Sequence, residues 1–138
     1  MILLDTHVFL WGLKDGHRIG PRTRLLLDDS LAEGNLGVSA VTFTEVARLH
    51  RKGVINLGTA PDLWHDAQLA KGLRELPVTG KIAIRGVSLM DSGFHGDPDD
   101  QTIVATAILG RHELVTADRA IQEWCARTRE VQIIDPSK

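Results

Sequence analysis

Short, unbroken apolar runs alternate along this chain with longer segments of helical periodicity. Residues 2–4 (Ile2, Leu3, Leu4) have no polar position between them, the pattern of a strand buried on both faces. Further short strands are read at 36–39, 113–116 and 131–134, the third of these broken by Gln132. Residues 76–79 (Leu76-Pro77-Val78-Thr79) read as a linker or a very short strand. Between these runs the spacing predicts helices over 6–13, closed around Gly16; over 21–31; over 42–52, stopped by Gly53; over 61–73; and from 80 or 81 to 87 with Thr79 as cap. Residues 90–96 are small and polar and read as a loop. A helix from Pro98 ends at Gly110 and His112, and another covers 120–127. Alternation of this kind predicts an α/β fold with a mainly parallel sheet of four to five strands, right-handed crossovers and helices on both faces. No repeat or linker divides the chain, so one domain spans 1–138, with the tail beyond about 135 expected to fray.

The stretch around which the pattern is organised is His95-Gly96-Asp97-Pro98-Asp99-Asp100-Gln101. Asp97 before Pro98 reads as an N-cap followed by proline at the first helical position. Asp99 and Asp100 fall in the first turn, where the helix dipole favours negative charge. Phase separates them. Asp100 shares a stripe with Val104, Ala107 and Ile108, the face a helix turns toward a core, whereas Asp99 projects along Ile103, Thr106 and Gly110, about a hundred degrees round. A carboxylate on the buried stripe needs a cation or hydrogen-bond donors.

Composition adds bounds. With 16 basic and 18 acidic residues the net charge is −2, which neither advertises nor excludes a nucleic-acid partner. The single Cys125 cannot pair within the chain and reads as a packing residue in a reducing compartment. The first residues lack a basic region, and Asp5 and His7 interrupt the apolar run, so they do not read as a signal peptide. No segment has the length and apolarity to span a bilayer. A cytoplasmic protein without a membrane partner is expected.

Two predicted strands deliver an acid to a strand–helix junction: Asp5 after Leu4, and Asp118 after Thr116 and Ala117. Two predicted helices carry Glu45 and Asp100 near their starts on inward faces. Each has a plainer reading. Asp5 can simply cap its helix, and Glu45 can close a capping box with Thr42. In a parallel sheet, however, strand ends and the starts of the following helices share one edge, where all four acids can meet. Four converging carboxylates cannot all remain ionised without a cation. All-oxygen ligation suits Mg²⁺ or Mn²⁺, while the six histidines and one cysteine show no zinc spacing. The chemistry indicated is metal-assisted phosphodiester hydrolysis. Arg18, Arg22 and Arg48 are either solvated faces or candidate phosphate contacts.

Together these stretches resemble one family. An aspartate ending the first strand, Ser39-x5-Glu45, His95-x-Asp97-Pro98-x-Asp100 and Leu114-Val115-Thr116-Ala117-Asp118 resemble the PIN-domain family, and most closely the VapC-type toxins of bacterial type II toxin–antitoxin pairs. The run from Leu3 to Trp11 and the run from Leu76 to Thr79 are similar to that family's N-terminal and mid-chain signatures. The resemblance covers essentially the whole chain. It implies a metal-dependent endoribonuclease, a VapB-like antitoxin that blocks the site with an inserted basic side chain, and a homodimer. The implied acidic site, catalytic and metal-binding, is Asp5, Glu45, Asp100 and Asp118, supported by Thr6, Thr116 and Asp97. One departure stands out. Relatives usually carry Asp-Pro-Phe-Asp-Arg where this chain has Asp97-Pro98-Asp99-Asp100-Gln101, which makes the site mouth more negative. That departure motivates an alternative: a weakened PIN-like module that binds RNA or a partner without cutting. A phosphoryl-accepting signalling domain is disfavoured, because Thr6 follows Asp5 where an acidic pair is needed and Lys138 ends the sequence.

Overall fold

The computed structural model describes residues 1–138. Five strands, β1 (Ile2–Leu4), β2 (Leu36–Ser39), β3 (Arg74–Leu76), β4 (Glu113–Val115) and β5 (Ile133–Ile134), form one all-parallel sheet in the order β3-β2-β1-β4-β5. The helices are α1 (Thr6–Lys14), α2 (Pro21–Ala32), α3 (Ala40–Arg51), α4 (Pro61–Ala70), α5 (Gly80–Ser88), α6 (Pro98–Gly110) and α7 (Arg119–Thr128). The expected α/β architecture is therefore the one observed, with the mid-chain strand formed by the residues just before Pro77. Proline has no N–H to give a ladder, so the strand stops ahead of it.

Pleating sorts the strand residues between two cores. Leu3 and Leu114 face a cluster with Ile103, Val104, Ala107, Ile121 and Trp124 from α6 and α7. Ile2, Leu4, Val38 and Val115 face a cluster with Val8, Phe9 and Val46 from α1 and α3. Cys125 is buried in the first cluster, as a packing residue should be, and burial pushes its thiol up to about 11.

Several local expectations are revised by packing. The N-cap of α3 is Ser39, whose Oγ accepts from the Val41 N–H at 3.2 Å, so no capping box links Thr42 to Glu45. Thr42 is instead buried and bonded to Thr6. Residues 89–92 form a 3-10 turn rather than open loop, pinned where the Trp124 indole N–H and the Arg127 guanidinium both donate to the Ser92 carbonyl at 3.0 Å. Helix α6 is buried nearly all round, with Ile103 and Thr106 as deeply placed as Val104 and Ala107. It has no single inward stripe, because α5 covers what would otherwise be its outer side. The approach is close: a Cβ on Gly86 of α5 would press on the Gln101 backbone at 3.2 Å.

Gly110 closes α6 by a different route from the usual left-handed glycine cap. Arg111 takes the left-handed conformation, at φ 54°, and the His112 ring occupies the space a side chain at 110 would need. The tail does not fray. The Gly20 N–H donates to the Pro136 carbonyl at 2.8 Å, the Arg22 N–H donates to Lys138 at 3.1 Å, and Pro136 is fully buried. These bonds supply acceptors to the start of α2, whose N-cap Gly20 has no side chain to do so.

Candidate active site

The sheet order changes direction between β1 and β4, and open α/β sheets bind ligands at the strand ends of such a switch point. Leu4 pairs with Val115, so the residues just past them, Asp5 and Thr116, stand side by side. The Thr116 hydroxyl donates to Oδ2 of Asp5 at 2.7 Å, and the Thr6 N–H donates to Oδ1 at 2.7 Å. Asp5 does cap α1, as its plainer reading held, but with one oxygen only. Thr116 also receives the Asp118 N–H at 3.1 Å, and Asp118 spends Oδ1 on the Ile121 N–H as the cap of α7. The side-chain amide of Gln122 donates to the Thr116 carbonyl at 2.8 Å and steadies the turn. Two strand ends thus hold Asp5, Thr116 and Asp118 in one hydrogen-bonded unit.

Helix α6 brings the next acid. Asp97 caps it as expected, its Oδ1 accepting from the Asp99 N–H at 3.0 Å and the Asp100 N–H at 3.1 Å. Asp100 is half-buried, with its side chain 24% exposed. Burial pushes its carboxyl up to about 6, Asp97 and Asp5 push in the same direction, His95 opposes them, and Asp118 adds to the rise. Asp5 is also raised, by burial first, against the bonds from Thr116 and Thr6. Asp5, Asp100 and Asp118 therefore act on one another as a group of like charges.

Glu45 and Asp99 fall outside that group. Asp99 is raised by burial and by Asp97, while Arg48 lowers it and Glu45 raises it. Asp99 thus lies beside α3 and its two charges, on the side of α6 that the helical phase sets apart from Asp100. The reason is the all-round burial of α6, which leaves α3 as the neighbour of that side. The three arginines do not gather. Arg48 is at Asp99 and Arg18 lies 5.3 Å over the Trp11 ring, while Arg22, at the exposed start of α2, gives its backbone N–H to the Lys138 carbonyl. Sequence reading passed over two further residues at this edge. His95 places Nε2 3.3 Å from Oδ2 of Asp100, and Thr42 shares a hydrogen bond of 2.9 Å with Thr6. The five-residue step from His95 to Asp100 was the available signal for the first. Nothing local marks the second.

The sheet order, the acids at its switch point and the parallel strands now meet an independent finding: the family model of the PIN domain matches residues 2–126. The chain belongs to the PIN-domain family. Among curated PIN relatives, Ribonuclease VapC22 of Mycobacterium tuberculosis is 33% identical over 121 residues, covering 88% of this chain and 89% of that protein. Among solved structures, FitAB bound to the IR36 DNA fragment matches with TM-score 0.71 and 25% identity, covering 100% of this chain and 96% of that one. VapBC2 from Rickettsia felis, bound to a DNA fragment from its promoter, matches at TM-score 0.65 and 18% identity over 97% and 98% of the two chains, a likeness of fold. The Asp-Asp-Gln departure of this PIN domain lies within the matched residues, at the junction of the inner acids with the Glu45–Arg48 side.

Proposed function

We propose that this PIN domain is a metal-dependent endoribonuclease and the toxin of a toxin–antitoxin pair. The observation that carries the reading is the grouping of Asp5, Asp100 and Asp118 at the switch point, with Asp100 raised to about 6 by burial and by its acidic neighbours. The likeness to Ribonuclease VapC22 supports the substrate class.

The donor set fits a hard divalent cation, since every inner group is a carboxylate or hydroxyl and the crowding is of the sort a cation relieves. No three His, Cys, Asp or Glu side chains stand at ligating separation. Magnesium does not require that, because it keeps several waters and takes one or two carboxylates. Asp5, Asp100, Asp118 and, from the α3 side, Glu45 are the residues proposed to hold it. When bound, magnesium or manganese supplies positive charge to the phosphodiester and makes a water more acidic. The chain's own share is positioning. Thr116 and the Thr6 N–H fix both oxygens of Asp5, and the Ile121 N–H fixes one oxygen of Asp118, leaving the remaining lone pairs directed by the strand ends. Asp97 keeps α6 in register, so that Asp100 is delivered from the helix start. Arg48 is the proposed phosphate contact, because it stands beside Asp99 at this edge, while Arg18 is stacked over Trp11.

A cognate antitoxin is proposed to mask the acids with an inserted basic side chain, and a homodimer acting in the cytoplasm is the proposed working form. No helix has the length and apolarity to cross a membrane. Asp99 beside Glu45 favours one second reading, a weakened module that binds without cutting. The deciding experiment is cleavage of a structured RNA by purified protein in manganese, with Asp100→Asn prepared in parallel. Manganese-dependent cleavage lost in the variant supports the nuclease; RNA binding at equal strength by both proteins without cleavage supports the module.

A further inference from the structure

The turn ahead of α6 holds one aromatic ring from several sides and sets it beside Asp100. The Asp97 N–H donates to Nδ1 of His95 at 3.2 Å. A backbone N–H can only donate, so Nδ1 is the unprotonated nitrogen and the proton of the neutral ring is on Nε2. Nε2 stands 3.3 Å from Oδ2 of Asp100. The main chain of His95 is tied as well, because the buried Gln101 amide donates to its carbonyl at 2.9 Å. Behind the ring lies Phe94, with centroids 4.4 Å apart, and Phe94 is itself set edge-on against the buried Trp124.

Asp100 needs such a neighbour. Asp5 has both oxygens engaged and Asp118 has one, each by a hydrogen bond from the fold. Asp100, on the first turn of a helix, receives no hydrogen bond of that kind, and its torsions are open to several staggered states. Its one side-chain partner able to carry the opposite charge is His95, with Nε2 3.3 Å from Oδ2, a close approach rather than a hydrogen bond.

We infer that His95 is a positioning residue of this site: through a ring tautomer set by the Asp97 N–H, it orients the Asp100 carboxylate toward Asp5 and Asp118. The inference rests on the hydrolase reading for its consequence in catalysis, but the orientation itself belongs to the protein without metal or RNA. It also gives the Gln101 departure a role. A neutral amide at that position tethers the His95 main chain, where the arginine usual in relatives carries a charge.

Substitutions separate the two ring nitrogens. His95→Gln keeps an N–H donor near the place of Nε2 and gives up the acceptor for Asp97. His95→Asn keeps an acceptor near the place of Nδ1 and cannot reach Asp100. His95→Ala loses both. Ring-nitrogen NMR shifts of the metal-free wild-type protein are expected to show the Nε2–H tautomer. Manganese affinity, followed by electron paramagnetic resonance without RNA, is expected to fall about tenfold in the Asn and Ala variants and to stay within about threefold in Gln, the range in which outer partners of metal ligands act. In RNA cleavage, kcat should follow the same order with KM unchanged.

An Nδ1–H tautomer overturns the inference. So does an Asn variant equal to wild type beside a defective Gln variant, which makes His95 only a tie for the turn. A rise in KM shared by Asn and Gln, with kcat and manganese affinity intact, also overturns it, assigning the ring to RNA contact across the adjoining cleft of Ala120, Glu123 and Arg127. If the wild-type protein binds manganese but cuts no RNA, the spectra and the titration still decide the role of His95, and only the ribonuclease reading fails.

Discussion

Two groups of acids sit at the same edge of the sheet and are built differently. The inner group, Asp5, Asp118 and Asp100, hangs mainly on strand ends, with Thr116 bonding to one member and accepting from the N–H of the other. The outer pair, Glu45 and Asp99, comes from the facing sides of α3 and α6 and has Arg48 as its counter-charge. Asp5 and Asp100 are desolvated and crowded, and both are raised for that reason, while Asp118 completes the group from the exposed start of α7. The difference teaches where chemistry and tuning can reside. Groups held by parallel strand ends keep their geometry through substitutions elsewhere, while a pair between two helix faces can change charge at low cost to the fold. The departure at Asp99 and Gln101 lies at the seam between the two.

The largest expected effect tests that division. Asp5→Asn should lower manganese-dependent cleavage by about a thousandfold, roughly 4 kcal/mol of transition-state stabilisation, against about tenfold for Glu45→Gln. Single-turnover cleavage rates would measure both, and a greater loss in Glu45→Gln would reverse the assignment of inner and outer groups.

Asp100→Asn should cost about a hundredfold in cleavage through the same route, while raising stability. The sign follows from its raised carboxyl. The folded state holds the proton up to about pH 6 and the unfolded chain releases it near 3.8, so stability is lost as pH rises between those values and stays lost above them. A shift of that size corresponds to at most about 3 kcal/mol, and solvent at this partly exposed group reduces it to about 1–2 kcal/mol. Melting curves without metal should therefore show the variant more stable than wild type at pH 7.5 and equal to it at pH 4. A variant less stable at pH 7.5 would mean that Asp100 is not crowded.

Thr116→Val keeps the shape and removes the hydroxyl that joins Asp5 to the Asp118 N–H. Leaving buried groups without partners should cost about 1–3 kcal/mol, read as a lower melting temperature, with a loss of cleavage near tenfold. An unchanged melting temperature would separate the two strand ends and dissolve the inner group as a unit.

The smallest effects belong to the outer side. Asp99→Asn should change kcat by less than about threefold and tighten RNA binding slightly at low salt. Arg48→Ala should weaken that binding and reduce the slope of log affinity against log salt by about one, as expected for one lost phosphate contact. Filter binding across a salt series measures both. A salt slope untouched by Arg48→Ala would remove Arg48 from the RNA path.

What the chain specified by itself was everything carried by short-range patterns. Short apolar runs marked every strand but β3, whose residues Arg74-Glu75-Leu76 precede the 76–79 stretch the pattern offered, Asp97-Pro98 and Thr79 marked helix starts, and Asp5 and Asp118 were placed at strand–helix junctions, because hydrogen bonds to the next few N–H groups and the two- or 3.6-residue periods depend only on neighbours. Tertiary structure decided the rest. Ser39 rather than Thr42 caps α3, since Thr42 was claimed by Thr6 from another element. Asp99 meets Glu45 and Arg48 because α6 is enclosed on more than one side, which a single-stripe reading cannot register. Arg18 was drawn to Trp11, and His95 to Asp100. Each of these outcomes turns on which face of one element lies against which face of another, and that choice is made by the packing of the whole sheet and its helices, at distances along the chain that no local period encodes.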